Sequence, residues 1–183
     1  VEEICEWNQE RGCTTFDGEL EYNMLHEELN EYVFAYPKTI TDKFGKIESE
    51  EELEAKNDEI VEFLQSPEFL ENFRTNQLDA LGDLVFVAIG SMYKILGDWV
   101  GVEEVMMAII SANNLKKADK DDGGKIKKPE GFVGPESIIK NIYKEMAMRK
   151  HFMICVDNLG YESSLEKRKL YEVLTDRVAE KHH

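Results

Sequence analysis

The chain has little that would specify a disulfide-stapled, strand-rich or membrane-spanning protein. Its three cysteines, Cys5, Cys13 and Cys155, are odd in number and lack metal-binding spacing, so reduced thiols in a cytoplasmic protein are expected. No apolar run approaches the roughly 20 residues needed to cross a bilayer, and no signal-peptide pattern is read ahead of the first helix. Gly-x-Gly-x-x-Gly, P-loop and Ser/His/Asp signatures are missing, which leaves Rossmann, kinase and serine-hydrolase readings without support. Positive charge is scarce: 22 Lys and Arg against 38 Asp and Glu leave a net charge of −16. A field of that sign repels polyanions and argues against a nucleic-acid or membrane-surface binder. It leaves a nucleotide substrate open, because a metal and a local lysine cluster can override the global field.

What is present is a run of capped helices. With 42% hydrophobic residues, the 183-residue chain can bury one sizeable core, and a single all-α domain over residues 1–183 is expected. Residues 2–11 read as a first helix, ended by Gly12. Asp17 is the expected N-cap of a helix to about Ala35, with Pro37 just beyond it. Ser49-Glu50-Glu51-Glu52 has the capping-box pattern and opens an acidic helix to about Gln65. Ser66-Pro67 starts a long helix to about Leu96, with a candidate break near residues 73–77, and Gly97 ends it. Val102 to Asn114 reads as another apolar helix, and Pro135-Glu136-Ser137 opens one to about His151. Ser163-Ser164-Leu165-Glu166 caps an expected extra C-terminal helix over about 163–180. Residues 36–77 read as a helical insertion, and their acidic stretch 48–62 as a solvated face or, alternatively, a lid or oligomer contact.

Two segments carry carboxylates at helical spacing. Glu28 and Glu31 share one helical face, and Asp79 and Asp83 share another. Two such helices packed face to face would gather four carboxylates in one interior pocket. Carboxylates taken out of water beside one another require a cation, and hard oxygen donors suit Mg²⁺ or Mn²⁺. In so acidic a chain, Glu27, Glu28 and Glu31 alone would read as surface. Asp79 and Asp83 lie within the apolar stretch Leu78 to Ile89, whose residues nearly encircle the helix, and a helix apolar all round is expected to be buried.

A second constellation is the polar loop 115–134, with six lysines and five glycines or prolines. A basic loop beside a metal-carboxylate site fits a polyphosphate: the cation bridges phosphate oxygens and the lysines neutralise the rest, with glycines letting the loop fold over the ligand. His26 lies on a neighbouring helical bearing and is expected as support or packing; His151 is expected at a helix end. Trp7 and Phe16 are expected mainly as core residues.

Four stretches, in order, resemble a known family. They are Glu6-Trp7-Asn8-Gln9-Glu10-Arg11-Gly12, then Met24 to Glu31 with its Glu-Glu-x-x-Glu pattern, then Leu78 to Val87. The fourth is Asn114-Leu115-Lys116-Lys117 with Gly124-Lys125 and Lys128-Pro129-Glu130-Gly131-Phe132. Together they resemble the MazG-like all-α nucleoside triphosphate pyrophosphohydrolases, related to the phosphoribosyl-ATP pyrophosphohydrolases and the dimeric dUTPases. The resemblance implies a helical bundle completed by oligomerisation, as a homodimer or homotetramer. It implies hydrolysis of a (deoxy)nucleoside triphosphate between the α and β phosphates, giving the monophosphate and pyrophosphate, for housecleaning or nucleotide-pool control in a bacterium or phage. Glu28, Glu31 and Asp83 fall on the family's metal-ligand positions. The family's usual glutamate, three residues before the aspartate, is Ala80 here, and Asp79 is the candidate replacement. The resemblance makes Glu27, Glu28 and Glu31 the catalytic set, with Glu27 orienting or deprotonating the attacking water. Lys117, Lys125 and Lys128 would hold phosphates; Trp7, Asn8 and Asn114 would contact the nucleoside. Two alternatives stand beside this reading: dUTP or phosphoribosyl-ATP as substrate, and a non-catalytic helical module that uses its acidic helix to bind a partner.

Overall fold

Local capping chemistry sets most of the helix boundaries. In a computed structural model, which describes residues 1–116, 119–149, 151–157, 159 and 166–173, α1 spans Glu2–Glu10. Helix α2, Gly18–Val33, begins where the Asp17 carboxylate accepts the backbone N–H groups of Glu19 and Leu20 at 3.0 and 3.2 Å. Helix α4, Glu50–Leu64, is capped by Ser49, while Glu52 reaches back to the N–H of Glu48 at 3.1 Å. Helix α5, Pro67–Leu96, is capped by Ser66, carries proline where the first-turn N–H has no helical partner, and stops at Gly97 in the left-handed region (φ 73). Its 30 residues run without a break for about 45 Å. Helix α6, Trp99–Asn114, starts three residues earlier than expected because Asp98 caps Val100. Helix α7, Glu136–Met148, follows the lysine loop.

Two sequence expectations need correction here. Helix α2 ends at Val33, close to the expected Ala35, but Pro37 beyond it does not stop helical structure: it lies in the first turn of a further helix, α3, Ala35–Phe44, which begins directly after Phe34. First-turn proline forfeits no helical hydrogen bond, so it marks a restart as readily as a stop. The C-terminal segment is also not simply helical. His151–Ile154 (β1) and Leu170–Val173 (β2) pair antiparallel, with His151 opposite Val173 and Ile154 opposite Leu170. His151 therefore starts a strand, and a strand lies inside the 163–180 stretch read as a helix; the rest of that stretch, apart from residues 166–169, is outside the described residues. Pairing between strands separated in sequence leaves no capping signal to read. The other named elements among the described residues are helices, and no single helix among them is long and apolar enough to cross a membrane.

Helix α5 is the axis, in contact with all six other helices. Its C-terminal half packs Ile89 and Tyr93 with Cys5 of α1 and Val102 of α6, and a neighbouring cluster joins Val105 to Ile142 and Met146 of α7. Burial pushes the Cys5 thiol above its ordinary value, as expected of an inert core cysteine. At the other end, Phe63 and Phe69 meet edge to face at 5.5 Å, with Tyr36, Phe44 and Phe73 around them. The expected insertion is thus an aromatic-cored cap of α3, α4 and the first turns of α5. Helix α2 runs antiparallel along the middle of α5: Glu21 meets Ser91 and Lys94, while beyond its end Thr39 of α3 accepts from Asn76 at 3.0 Å. The carboxylates lie between those two points.

Candidate functional site

The face of α2 turned to α5 carries Glu21, Met24, Leu25 and Glu28, spaced at three, four and seven residues. Glu28 is partly buried, and its carboxyl is held above the usual carboxylate range, first by loss of water and then by the negative fields of Asp83, Glu31, Glu27 and Asp79. Glu28 therefore lies within the electrostatic reach of the other four acidic site candidates. The structure does not bury them as expected. Asp79 and Asp83 are exposed, and so are their apolar neighbours Leu78 (70%), Leu81 (40%) and Val85 (56%). One chain supplies too few partners to cover the whole circumference of α5, so α2 covers one side and this stripe faces outward. Among the described residues, no three His, Cys, Asp or Glu side chains stand close enough to hold a metal ion. Carboxylates without a cation repel one another, and Glu31, Asp79 and Asp83 are exposed. The donor set is all oxygen, the type that hard divalent cations take, but as placed these side chains do not stand close enough together to chelate one.

Lys38 of α3 is the one cation among the described residues in an ion pair with any of the five, its ammonium 3.7 Å from Glu31. Glu31 and Glu27 also line an open surface depression of about 470 Å³ that runs along α2 from Asn23 to Lys38. His26 lies in the same wall, exposed, 3.0 Å from the Asn30 amide through Nδ1 and stacked on Tyr22.

Trp7 and Asn8 line a second, smaller cavity of about 190 Å³ with Met24, Phe86 and Lys94. Trp7 is not a core residue. It meets Phe86 edge to face at 5.1 Å, keeps a large exposed surface, and carries the Arg11 guanidinium 4.3 Å above its ring. Phe16 is likewise exposed. Asn8 is buried (3%), donates to the Ile4 carbonyl at 2.9 Å, and packs so closely on Gly90 that a Cβ there would stand 3.0 Å from its amide. Asn8 thus fixes α1 against α5 as well as forming a cavity wall.

Asn114 is the exposed last residue of α6; Lys117 lies outside the described residues. The lysine loop is more structured than expected. Lys120 and Ile126 form an antiparallel bridge, the Asp121 carboxylate accepts the N–H groups of Gly123 and Lys125, and Gly124 turns the chain at φ 79. Its glycine thus makes a tight turn. Lys128 projects its ammonium over Phe132 at 5.2 Å. Among the described residues, no hydrogen bond or ion pair joins Lys125 or Lys128 to the carboxylates.

Sequence reasoning missed Glu21, Ser91 and Lys94. Glu21, 2% exposed, accepts from the Ser91 hydroxyl at 2.5 Å and pairs with Lys94 at 2.6 Å. The signal was available: Glu21 precedes Glu28 by seven residues, and Lys94 follows Asp83 by eleven, so both continue the carboxylate faces. What fold and side chains define is a helical protein in which Glu28, on the face between its two central helices, lies in the negative fields of four exposed carboxylates. No family profile, curated protein or solved structure matches the chain.

Proposed function

We propose that the protein is a metal-dependent nucleoside triphosphate pyrophosphohydrolase. The observation that carries this reading is Glu28, a partly buried carboxylate in the negative fields of four others with no paired cation of its own among the described residues. In this reading Glu28, Glu31, Asp79 and Asp83 would hold Mg²⁺ or Mn²⁺ once their side chains converge, and the ion would supply a more acidic attacking water and charge to offset the triphosphate. Glu27 takes the proton from the water as its oxygen attacks the α-phosphorus. The bond from the α-phosphorus to the α–β bridging oxygen breaks, and the electron pair leaves with pyrophosphate. Lys117, Lys125 and Lys128 bind phosphate oxygens; Trp7, Asn8 and Asn114 contact the nucleoside. A second copy of the chain covers Leu78, Leu81 and Val85, because a contiguous apolar stripe of that kind marks an interface.

A panel of the eight common (d)NTPs plus dUTP and phosphoribosyl-ATP, with Mn²⁺ and pyrophosphate detection, tests the activity. Release of pyrophosphate from at least one supports it, and none from any contradicts it. Light scattering above the 21.2 kDa of one chain supports the second copy. The open spacing of the carboxylates and the exposed stripe beside them favour one other reading, a helical interaction module, which predicts no divalent-cation binding.

A further inference from the structure

Helices α1 and α2 both pack on α5 but scarcely on each other, and the gap between them is the cleft of about 190 Å³. Helix α1 supplies Trp7 and Asn8 to it, α2 supplies Met24, and α5 supplies Phe86, Val87 and Lys94. Lys94 is the one charged side chain of this lining among the described residues, and its charge is already answered by Glu21 at 2.6 Å. The neutral polar group is Asn8. It is 3% exposed; its Nδ2 donates to the Ile4 carbonyl at 2.9 Å, and its Oδ1 has no partner among the described residues. No fully enclosed side-chain nitrogen or oxygen among them lacks a partner, so Oδ1 opens to the cleft that Asn8 lines.

We propose that this cleft takes the base of the nucleotide, and that the Asn8 amide pairs with the hydrogen-bonding edge of that base. The inference deepens the pyrophosphohydrolase reading and needs no cation. An apolar cavity of about 150 Å³ accepts a benzene ring, so 190 Å³ admits one flat heterocycle and leaves sugar and phosphates outside. Trp7 and Phe86, nearly perpendicular with ring centroids 5.1 Å apart, and the thioether of Met24 offer polarizable surface to such a ring. A side-chain amide carries an acceptor and a donor side by side, and base edges carry the complementary pair. A buried amide oxygen left unpaired is costly, and a base N–H satisfies it. Met24 lies one turn before Glu28 on α2, and Phe86 and Val87 lie one turn after Asp83 on α5. The cleft therefore adjoins the Glu28 level, where the phosphates would lie.

Nuclear magnetic resonance on the intact chain, in chelator, tests this with the common 2′-deoxynucleosides and deoxyuridine as probes and deoxyribose as the base-free control. At least one nucleoside should shift the Trp7 indole N–H and the Asn8 side-chain amide saturably, and deoxyribose neither. Methylation of that base at its edge nitrogen should lower affinity at least about tenfold, as the bond to Asn8 is lost. Val87→Phe fills the cleft from α5 and leaves the Asn8 bonds in place, so it should abolish the shifts; if that chain does not fold, the milder Val87→Leu should weaken binding. No saturable shift with any nucleoside, equal shifts with deoxyribose, undiminished affinity for the methylated base, or full binding by the folded Val87 variant overturns the cleft as a base site and leaves the metal and activity tests standing. Nucleoside binding here without pyrophosphate release from any nucleotide keeps the cleft and overturns the hydrolase reading.

Discussion

Helices α2 and α5 bring carboxylates together at two levels and treat them in opposite ways. At one level Glu21 is fully enclosed, and its two oxygens are taken by Lys94 and Ser91. Two helical turns further along α2, Glu28 lies in the negative fields of Asp83, Glu31, Glu27 and Asp79, and it has no paired cation among the described residues. The first arrangement is what a packed helix pair needs, a buried charge with its hydrogen bonds complete. The second lowers stability, since each carboxylate makes ionisation of its neighbours harder. A fold that satisfies Glu21 fully and leaves Glu28 among like charges has the means to neutralise a carboxylate and does not use it there. That contrast, more than the count of acids, is the reason for proposing the Glu28 level as the functional one.

The largest expected effect comes from breaking the satisfied level. Lys94→Met leaves Glu21 buried without its cation and should destabilise the fold by about 3–5 kcal/mol, read from chemical denaturation. A loss under about 1 kcal/mol would mean that Glu21 is not held as described. Next come the carboxylates opposite. Glu31→Gln and Asp83→Asn should each lower kcat by at least about a hundredfold while circular dichroism stays unchanged, in line with loss of a metal-bound group. Turnover near wild type at saturating metal in either variant removes it from the ligand set. Asp79→Asn should do less if it only supports Asp83. Smaller still is the lysine loop: alanine at both Lys125 and Lys128 should reduce kcat/KM about tenfold, with KM raised and kcat lowered. A ratio within about twofold of wild type would make the Asp121-locked turn a structural element only.

The smallest effect is on pH dependence. Glu28 has a folded-state pKa above its unfolded one, so the native state binds more protons within that window. Its ionisation therefore adds no stability. The penalty is absent below the unfolded value, grows as pH rises through the window, and is fully present above the folded value. Metal-free wild type should lose a little stability over that rise relative to Glu28→Gln, measured by urea unfolding at several pH values. Parallel profiles would count against a strained Glu28.

How far the sequence could be read follows from how local each signal is. Asp17, Ser49, Ser66 and Gly97 act on their own first or last turns, so the ends they set were legible. Carboxylate spacing was legible for the same reason, because three- and four-residue intervals decide helical faces. Asp79 and Asp83 were placed correctly on a face and wrongly in an interior, since burial of Leu78, Leu81 and Val85 depends on partners that no local pattern names. The Glu21–Lys94 pair spans 73 positions and the β1–β2 pairing is likewise nonlocal. Lys38 was hidden by reading Pro37 as a terminator, when a proline in a first turn permits the new helix that carries it.

The central claim is that the Glu28 level is a cation site and the Glu21 level is not. Thermal unfolding of wild type, Glu28→Gln and Glu21→Gln, each with chelator and with Mn²⁺, tests it most directly. The account predicts that Mn²⁺ raises the wild-type midpoint. Glu28→Gln should unfold higher than wild type in chelator and respond little to Mn²⁺, while Glu21→Gln should unfold lower in chelator yet still rise with Mn²⁺. A wild-type midpoint indifferent to Mn²⁺, or a Glu28→Gln variant that keeps the full response, would contradict it.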